Sequence, residues 1–534
     1  MRPFVIHGQL SSHYRRWHIV LVLLAVSLNC EAATIRVPQD QKSIQTAIDS
    51  ASSGDTVLVA AGIYRERIKL QAGITLRSAG DDTKGTLGLQ RAETTIIDGG
   101  IGIEDVPGVT MAEGATLDGF TVTNVGHYDD AEWKRHHATQ GSEQPHEDIG
   151  APGTAGISVM GVTCTLTNNI VHHIGYTGIA IMGVEGQRCS PSVLRNICYR
   201  NMGGGIGSMR GSTAIIEENI CFQNFYAGIG LEASSPLIVN NDCYENIRAG
   251  VGISEGSSPV VRGNRCHHNR RAGIGIRTGS DTSPVVDGND CHHNDMAGIG
   301  CEGECTPLIR NNSCHDNKLV GIGCRDNSRP QIIGNHCFKN QAVGIGFEDT
   351  ESSEALVIDN HVEDNDKVAI GIHSGWKVRL IRNDLSRPAG LPPVVMVFKN
   401  AEADFLENTI RCSGVAGIRT EGIVRISGNT FESPAVRAVG PPQFAVWGLP
   451  GSHITFNGNT ARGWRHGLSA DQATVTACDN YIANYGAVGI KIQQPVAPSA
   501  IVNNTFEGDS DQKGVSVTGG DATIEGNRVV PVPK

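Results

Sequence analysis

Seven cysteines set the period of this chain. Cys198, Cys221, Cys243, Cys266, Cys291, Cys314 and Cys337 follow one another at spacings of 23, 22, 23, 25, 23 and 23 residues, and the same surroundings return with them: SPLIVNNDCYEN before AGVGIS, SPVVRGNRCHHN before AGIGIR, SPVVDGNDCHHN before AGIGCE. A unit of this length cannot bury an apolar face alone, so each copy must stack on its neighbours, and the chain grows as a rod with one continuous core. A weaker apolar-x-x-Asn-x-apolar pattern carries on through Asn360, Asn383, Asn408, Asn429, Asn459, Asn480, Asn504 and Asn527. Roughly eighteen coils at the usual ~4.8 Å between strands make a rod on the order of 80 to 90 Å long.

Alternation with period two assigns the faces of a coil. Val261, Cys266, Ile274 and Ile276 point inward, while Arg262, Arg265, His267, Gly275 and Arg277 point outward. Three short strands per coil follow, with Asn264 and Asn269 at the corners, where an amide can bond backbone groups that a turn leaves unpaired and stack on its copy in the next coil. The ladder thiols then behave as small hydrophobes in the core. With 66 glycines in 534 residues and only 5% aromatics, the composition suits narrow coils, and the fold class is all-β: a right-handed parallel β-helix.

The division of the chain follows from the pattern. Residues 1–33 read as a secretory leader, with Arg2, Arg15 and Arg16 before the apolar run Ile19 to Leu28 and small Ala32 and Ala33 after it. The run is too short to span a bilayer, so the chain is expected to be secreted or periplasmic without membrane insertion. Residues 34–126 hold an N-terminal cap and the first coils; Ser43 to Ser52 has the helical spacing of Ile44, Ala47 and Ile48 and should close the open end of the core. Residues 127–155 are an insertion, 156–375 the regular coils, and 376–534 irregular coils. The formal charge of -11 makes nucleic acid an unsuitable partner, whereas an acidic polysaccharide can still be held by a local basic strip or by a bridging cation.

GDTVLVAAGIYRERIKL (54–70), GITLRSAG (73–80) and TTIIDG (94–99), followed by N-x-[CIV]-x-x-N...GI coils, resemble the pectate-lyase-like superfamily, especially its periplasmic and secreted right-handed β-helix repeat proteins, including the nitrous-oxide-reductase accessory (NosD) type. The resemblance implies the fold and a carbohydrate- or metal-related role. It transfers no catalytic set: Gly62 to Glu66 also looks like the opening of pectin methylesterases, but the downstream motifs of those enzymes, of mannuronan epimerases and of polygalacturonases are absent.

Two places stand out as candidate sites. Gly126 and Gly175 occupy equivalent positions, yet Gly126 needs thirty residues to reach the next Gly-Ile where Gly175 needs three. The inserted segment carries Asp129, Asp130, Glu147 and Asp148, expected to hold Ca2+, and His146, expected to act with His172, His173, Tyr199 and Arg200 of the adjoining corner in acid-base chemistry. The second place is a column of outward glycines, Gly207, Gly230, Gly252, Gly275, Gly300, Gly323, Gly346 and Gly371, edged by Arg277, Glu302 and Arg325. Strand glycine ordinarily costs ~0.5 to 1 kcal/mol against alanine, so the column suits close approach of a ligand or of a second rod in a side-by-side homo-oligomer.

An outward ring column, Tyr199, Phe222, Tyr244, His267, His292, His315 and Phe338, is most simply a stack of rings. Its imidazoles, with His268 and His293, offer the alternative of a transition-metal site, with copper the ion that the accessory-type resemblance implies. The leading functional expectation is a protein that engages a long, uronic-acid-containing polysaccharide, with lyase or epimerase chemistry if it is an enzyme. The alternative is a non-catalytic envelope binding module or a metal-binding periplasmic accessory.

Overall fold

The computed structural model describes residues 32–83, 85–100, 105–139, 141–144, 153–388, 390–434, 441, 443–508 and 512–531. The leader expected over 1–33 therefore lies outside the described residues as far as residue 31. Among the described residues, no helix is long and apolar enough to cross a membrane.

One coil shows how the rod is built. Val260–Arg262, Arg265–His267 and Ile274–Ile276 are its three strands, and each pairs in parallel and in register with the next coil: Val261 with Val286, Cys266 with Cys291, Gly275 with Gly300. Stacking like on like gives three parallel sheets, of 20, 19 and 18 strands among the described residues, the right-handed parallel β-helix that the repeat demands. We refer to them as the valine, cysteine and glycine sheets after the residues at 261, 266 and 275. The inward assignment holds, since Val261, Cys266, Ile274 and Ile276 are all fully buried.

The corners repay the asparagines. Gly263 and His268 turn with φ of 64° and 55°, and each is followed by a buried asparagine. Asn264 Oδ1 accepts from the backbone N and Nδ2 of Asn241, both at 2.9 Å, while its own Nδ2 donates to the carbonyl oxygens of Ile238 (3.0 Å) and Arg262 (3.1 Å) and to Asn289 Oδ1 (2.9 Å). A row of such amides pairs the backbone groups that every turn would otherwise leave unsatisfied inside the rod.

At the N-terminal end, helix α1 (Ile44–Ser50) buries Ile44, Ala47 and Ile48 against the first coil, with Ser43 as its N-cap. The Glu66 carboxylate accepts from the backbone N–H groups of Ile44 and Gln45, both at 2.9 Å, so the glutamate of the Gly62 to Glu66 motif anchors the cap. A second helix, α2 (Gln90–Thr94), was not expected from the sequence. Its Arg91 is buried between Asp82 and Asp118, at 2.7 Å from each, and its Ala92 packs on Ile170 and Ile197, covering the start of the cysteine sheet's outer face.

Every ladder cysteine is buried and free. Neighbouring thiols hold Cys243, Cys291 and Cys337 above the ordinary thiol range and Cys266 and Cys314 below it, so what keeps the ladder from reagents is its complete burial. Native protein treated with an aromatic disulfide reagent should leave all seven ladder thiols unmodified over the time an exposed thiol takes to react, and denaturant should release them. Rapid native labelling of Cys243, Cys266 or Cys291 would mean that the faces are reversed.

Candidate functional site

The inserted segment is ordered over its described part. Asp130–Ala138 forms helix α3, and Asp129 is its N-cap, its Oδ1 accepting from the N–H groups of Ala131 and Glu132 at 2.9 Å each. Ordering a segment of this length costs ~1 kcal/mol or more per residue. What offsets it is apolar and ionic contact: Trp133 packs with Phe225 and Ile247, donates from Nε1 to the Gln223 carbonyl at 2.8 Å, and carries the Arg200 guanidinium 3.9 Å above its ring.

The segment does fold back over the corner bearing His172, His173, Tyr199 and Arg200. There the groups are spent largely on one another. Arg200 donates to the Tyr128 hydroxyl at 3.0 Å and pairs with Asp130, which also pairs with Lys134 at 2.7 Å. His172 Nδ1 meets His173 Nδ1 at 2.7 Å, and burial, with the charge of His173 adding, pushes His172 down to about 4. Tyr199 lies under α2, and burial pushes its hydroxyl up. Asp129 and Asp130, expected to share a cation, serve as a helix cap and an ion-pair partner. His146, Glu147 and Asp148 lie outside the described residues.

The ring column runs unbroken from His172 through Tyr199, Phe222, Tyr244, His267, His292 and His315 to Phe338, with centroids 4.6 to 5.1 Å apart. The planes of His267 and His292 differ by only 2°. Parallel rings send their nitrogen lone pairs in parallel directions, whereas an ion shared between coils needs them to converge.

The open space is on the glycine sheet. All eight column glycines, from Gly207 to Gly371, floor a groove of about 1220 Å³, about 34 Å long at the ordinary strand spacing. One edge carries Glu232, Arg277, Glu302, Arg325 and Glu348, with Glu302 clamped between Arg277 and Arg325. The other edge carries Tyr226, Arg248, Arg271 and Met296 on successive coils, the backbone N–H of each later residue donating to the carbonyl before it at 3.2, 3.2 and 3.1 Å.

Two kinds of glycine meet here. A Cβ added at Gly273 would sit 2.7 Å from the Gly298 carbonyl oxygen and 2.9 Å from Asn294 Nδ2, so packing forbids it; one added at Gly275 meets nothing nearer than the Ala249 Cβ at 3.7 Å, and at Gly230 nothing at all within 4 Å. At Gly230, Gly252, Gly275 and Gly300 the fold requires the glycine two residues earlier and not the outward one, whereas a Cβ at Gly323 would press on Val320 Cγ1 at 3.0 Å and one at Gly207 on Thr177 Cγ2 at 3.3 Å. The middle of the bare floor, from Gly230 to Gly300, is thus unexplained by packing.

The insertion returns at the groove's edge. Arg248 donates from Nε to Gln144 Oε1 at 3.1 Å and from Nη2 to the Gln144 carbonyl at 2.6 Å, and Arg271 Nη2 donates to the Gly141 carbonyl at 2.7 Å. Both guanidiniums are held by neutral oxygens. Burial, with the charges of Arg271 and Arg277 adding, pushes Arg248 down to about 10, and burial with the charges of Arg277 and Arg325 lowers Arg271. Arg248, Arg271 and Tyr226 were not singled out from the sequence. The signal was there, as Arg-Ala-Gly in two consecutive coils where others carry Met296, Leu319 or Ala342, but period alone does not say which corner overhangs which face.

Among solved structures, the A-module of an Azotobacter vinelandii mannuronan C-5 epimerase is similar over 85% of this chain and 93% of its own at 15% identity, with a TM-score of 0.35. The periplasmic alginate epimerase AlgG is similar over 70% and 83% at 12% identity and a TM-score of 0.33, and the PL6 family alginate lyase AlyGC over 94% and 97% at 9% and 0.31. No curated protein matches significantly. The family model for the right handed beta helix region matches residues 147–283, 237–385 and 394–529. With stacked coils through the described part of those residues and matches over more than half its length, the chain belongs to the right-handed β-helix family.

Proposed function

We propose that this chain is an exported protein that lays a long, uronic-acid-containing polysaccharide lengthwise in the glycine-floored groove, with C5 proton abstraction, as in a lyase or epimerase, as its chemistry. The observation that carries the reading is the floor itself: eight outward glycines in line, of which Gly230, Gly252, Gly275 and Gly300 have ample room for a side chain. A flat strip without side chains admits the broad faces of sugar rings. The guanidiniums of Arg248 and Arg271 supply the sign. Each is desolvated and lacks a carboxylate partner among its hydrogen bonds, so a uronate carboxylate would relieve their mutual repulsion and gain charge-assisted bonds. Neutralising that carboxylate is also what makes the C5 proton removable, and Tyr226, one coil before Arg248 on the same edge, would act as the acid-base group, with Tyr176, Glu232 and His373 also lining the groove.

Mixing the protein with alginate, pectate and glycosaminoglycans, and following both the ultraviolet absorbance of an unsaturated uronate and the C5 configuration by NMR, tests this reading. One of these polymers should bind, and the Arg248→Ala, Arg271→Ala pair should weaken it by about a hundredfold, roughly tenfold per lost charge-assisted contact. Tyr226→Phe should lose turnover while keeping binding. Binding without turnover in the wild type would favour the non-catalytic module, and no binding to any polyuronate would overturn the proposal.

A further inference from the structure

The ring column ends at Phe338, and what ends it is a different arrangement. In the register of the cysteine sheet, Phe338 pairs with Glu363, and His336 pairs with His361, which pairs in turn with Asp384. Two imidazoles thus occupy the outward position just before the ladder residue on adjacent strands, where the preceding coils carry Asp242, Arg265, Asp290 and Ser313. The Glu363 side chain reaches back between them: its Oε1 is 3.1 Å from His336 Nε2 and 3.1 Å from His361 Nε2. Among the described residues this is the one group of three such side chains whose ligand atoms all lie within 4.8 Å of one another.

The rings are not stacked flat like those of the column. His336 and His361 are tilted by 42° with centroids 4.8 Å apart, and their Nε2 atoms converge on the one Glu363 oxygen. His336 is buttressed by Phe338 at 4.3 Å. His361 has a carboxylate at each nitrogen, Glu363 at Nε2 and Asp384 Oδ2 at 3.3 Å from Nδ1. A neutral imidazole has a single N–H. If Nδ1–H donates to Asp384, Nε2 presents its lone pair to a carboxylate oxygen, a repulsive contact that a cation between them converts into two bonds.

We infer that His336, His361 and Glu363 form a binding site for a divalent first-row transition-metal ion of the zinc class, with Asp384 orienting His361 from behind. A tetrahedral ion ~2.0 to 2.2 Å from its ligands sets those ligands about 3.3 to 3.6 Å apart, close to the two 3.1 Å separations from Glu363, with all three ligand atoms within 4.8 Å of one another. Two nitrogens and one oxygen suit zinc, nickel or copper better than calcium, which takes six to eight oxygens. A carboxylate hydrogen-bonded to the far nitrogen of a ligating histidine is the usual way such a ring is fixed in orientation and made more basic. The side chains are 41%, 41% and 35% exposed, so the remaining coordination positions face solvent and the ion is exchangeable. The site lies on the cysteine sheet and is independent of the groove on the glycine sheet.

The chelator-treated full chain, titrated with ZnCl2 in a calorimeter and with Co2+ followed by its visible bands, tests this. One equivalent should bind, with the band intensity of a low-symmetry nitrogen and oxygen site. His336→Ala, His361→Ala and Glu363→Gln should each weaken binding by more than about tenfold and Asp384→Asn by about tenfold, with melting temperatures within a degree or two of wild type because all four side chains point outward. The His267→Ala, His292→Ala pair should leave the affinity unchanged. No stoichiometric binding, or equal binding by the wild type and the His336→Ala, His361→Ala, Glu363→Gln triple variant, would overturn the assignment.

Discussion

Replacing Asn264 by alanine should cost this protein about 3 to 5 kcal/mol, the largest single-residue effect expected outside the apolar core. The amide serves five hydrogen bonds at 2.9 to 3.1 Å, three of them to backbone groups: the N–H of Asn241 and the carbonyls of Ile238 and Arg262. Four of the five are buried, the one to Arg262 only partly, and each buried polar group left unpaired carries a penalty of ~1 to 3 kcal/mol. Because the row is continuous, Asn241 and Asn289 also lose a partner. Equilibrium unfolding in urea checks this, and a loss under about 1 kcal/mol would mean that water replaces the amide and that the row is not what closes the corner.

A second pair of substitutions separates what the rod needs from what it merely contains. Gly273→Ala should destabilise by roughly 2 to 4 kcal/mol, since its Cβ would meet the Gly298 carbonyl at 2.7 Å and the neighbouring strand can retreat only by breaking its ladder and the Asn294 contact. Gly275→Ala, two residues further along the chain, should be neutral or stabilising by up to ~1 kcal/mol, because its Cβ is unobstructed and alanine reduces the freedom of the unfolded chain. Thermal melts of the two variants decide the matter. Equal destabilisation would show that the outward glycine is a packing requirement after all, and would remove the main support for a ligand on that face.

The fold was legible because the repeat states it many times. Cys266 needed no inference beyond period two, and Asn264 and Asn269 could be placed at corners because an asparagine recurring in every coil has few other uses. Periodicity put His267 on the outward strand face but gave His268 no place of its own, and it is His268 that turns the corner with φ of 55°. Nor could it place the insertion. Its acidic residues suggested a cation, yet Asp129 caps a helix and Asp130 meets Arg200, and the residue that docks the segment is Trp133, which nothing in its own neighbourhood marks as an anchor for Phe225 and Ile247. The glycine column was visible as a column, whereas its walls, Arg248 and Arg271, were not, because leaning over a face is a property of the corner's geometry and not of the period.

If an acidic sugar chain lies in the groove, filling the groove's floor with side chains should displace it. Gly275→Leu and Gly300→Leu add bulk into open space, with the nearest side-chain atoms of their neighbours at 3.7 and 3.9 Å from the new Cβ, so the coils beneath should keep their melting temperature. Calorimetric titration of these variants with a polyuronate oligomer that binds the wild type should show affinity reduced by more than tenfold at either position. Wild-type affinity in both variants, with the melting temperature unchanged, would place the polysaccharide elsewhere on the rod and contradict the account.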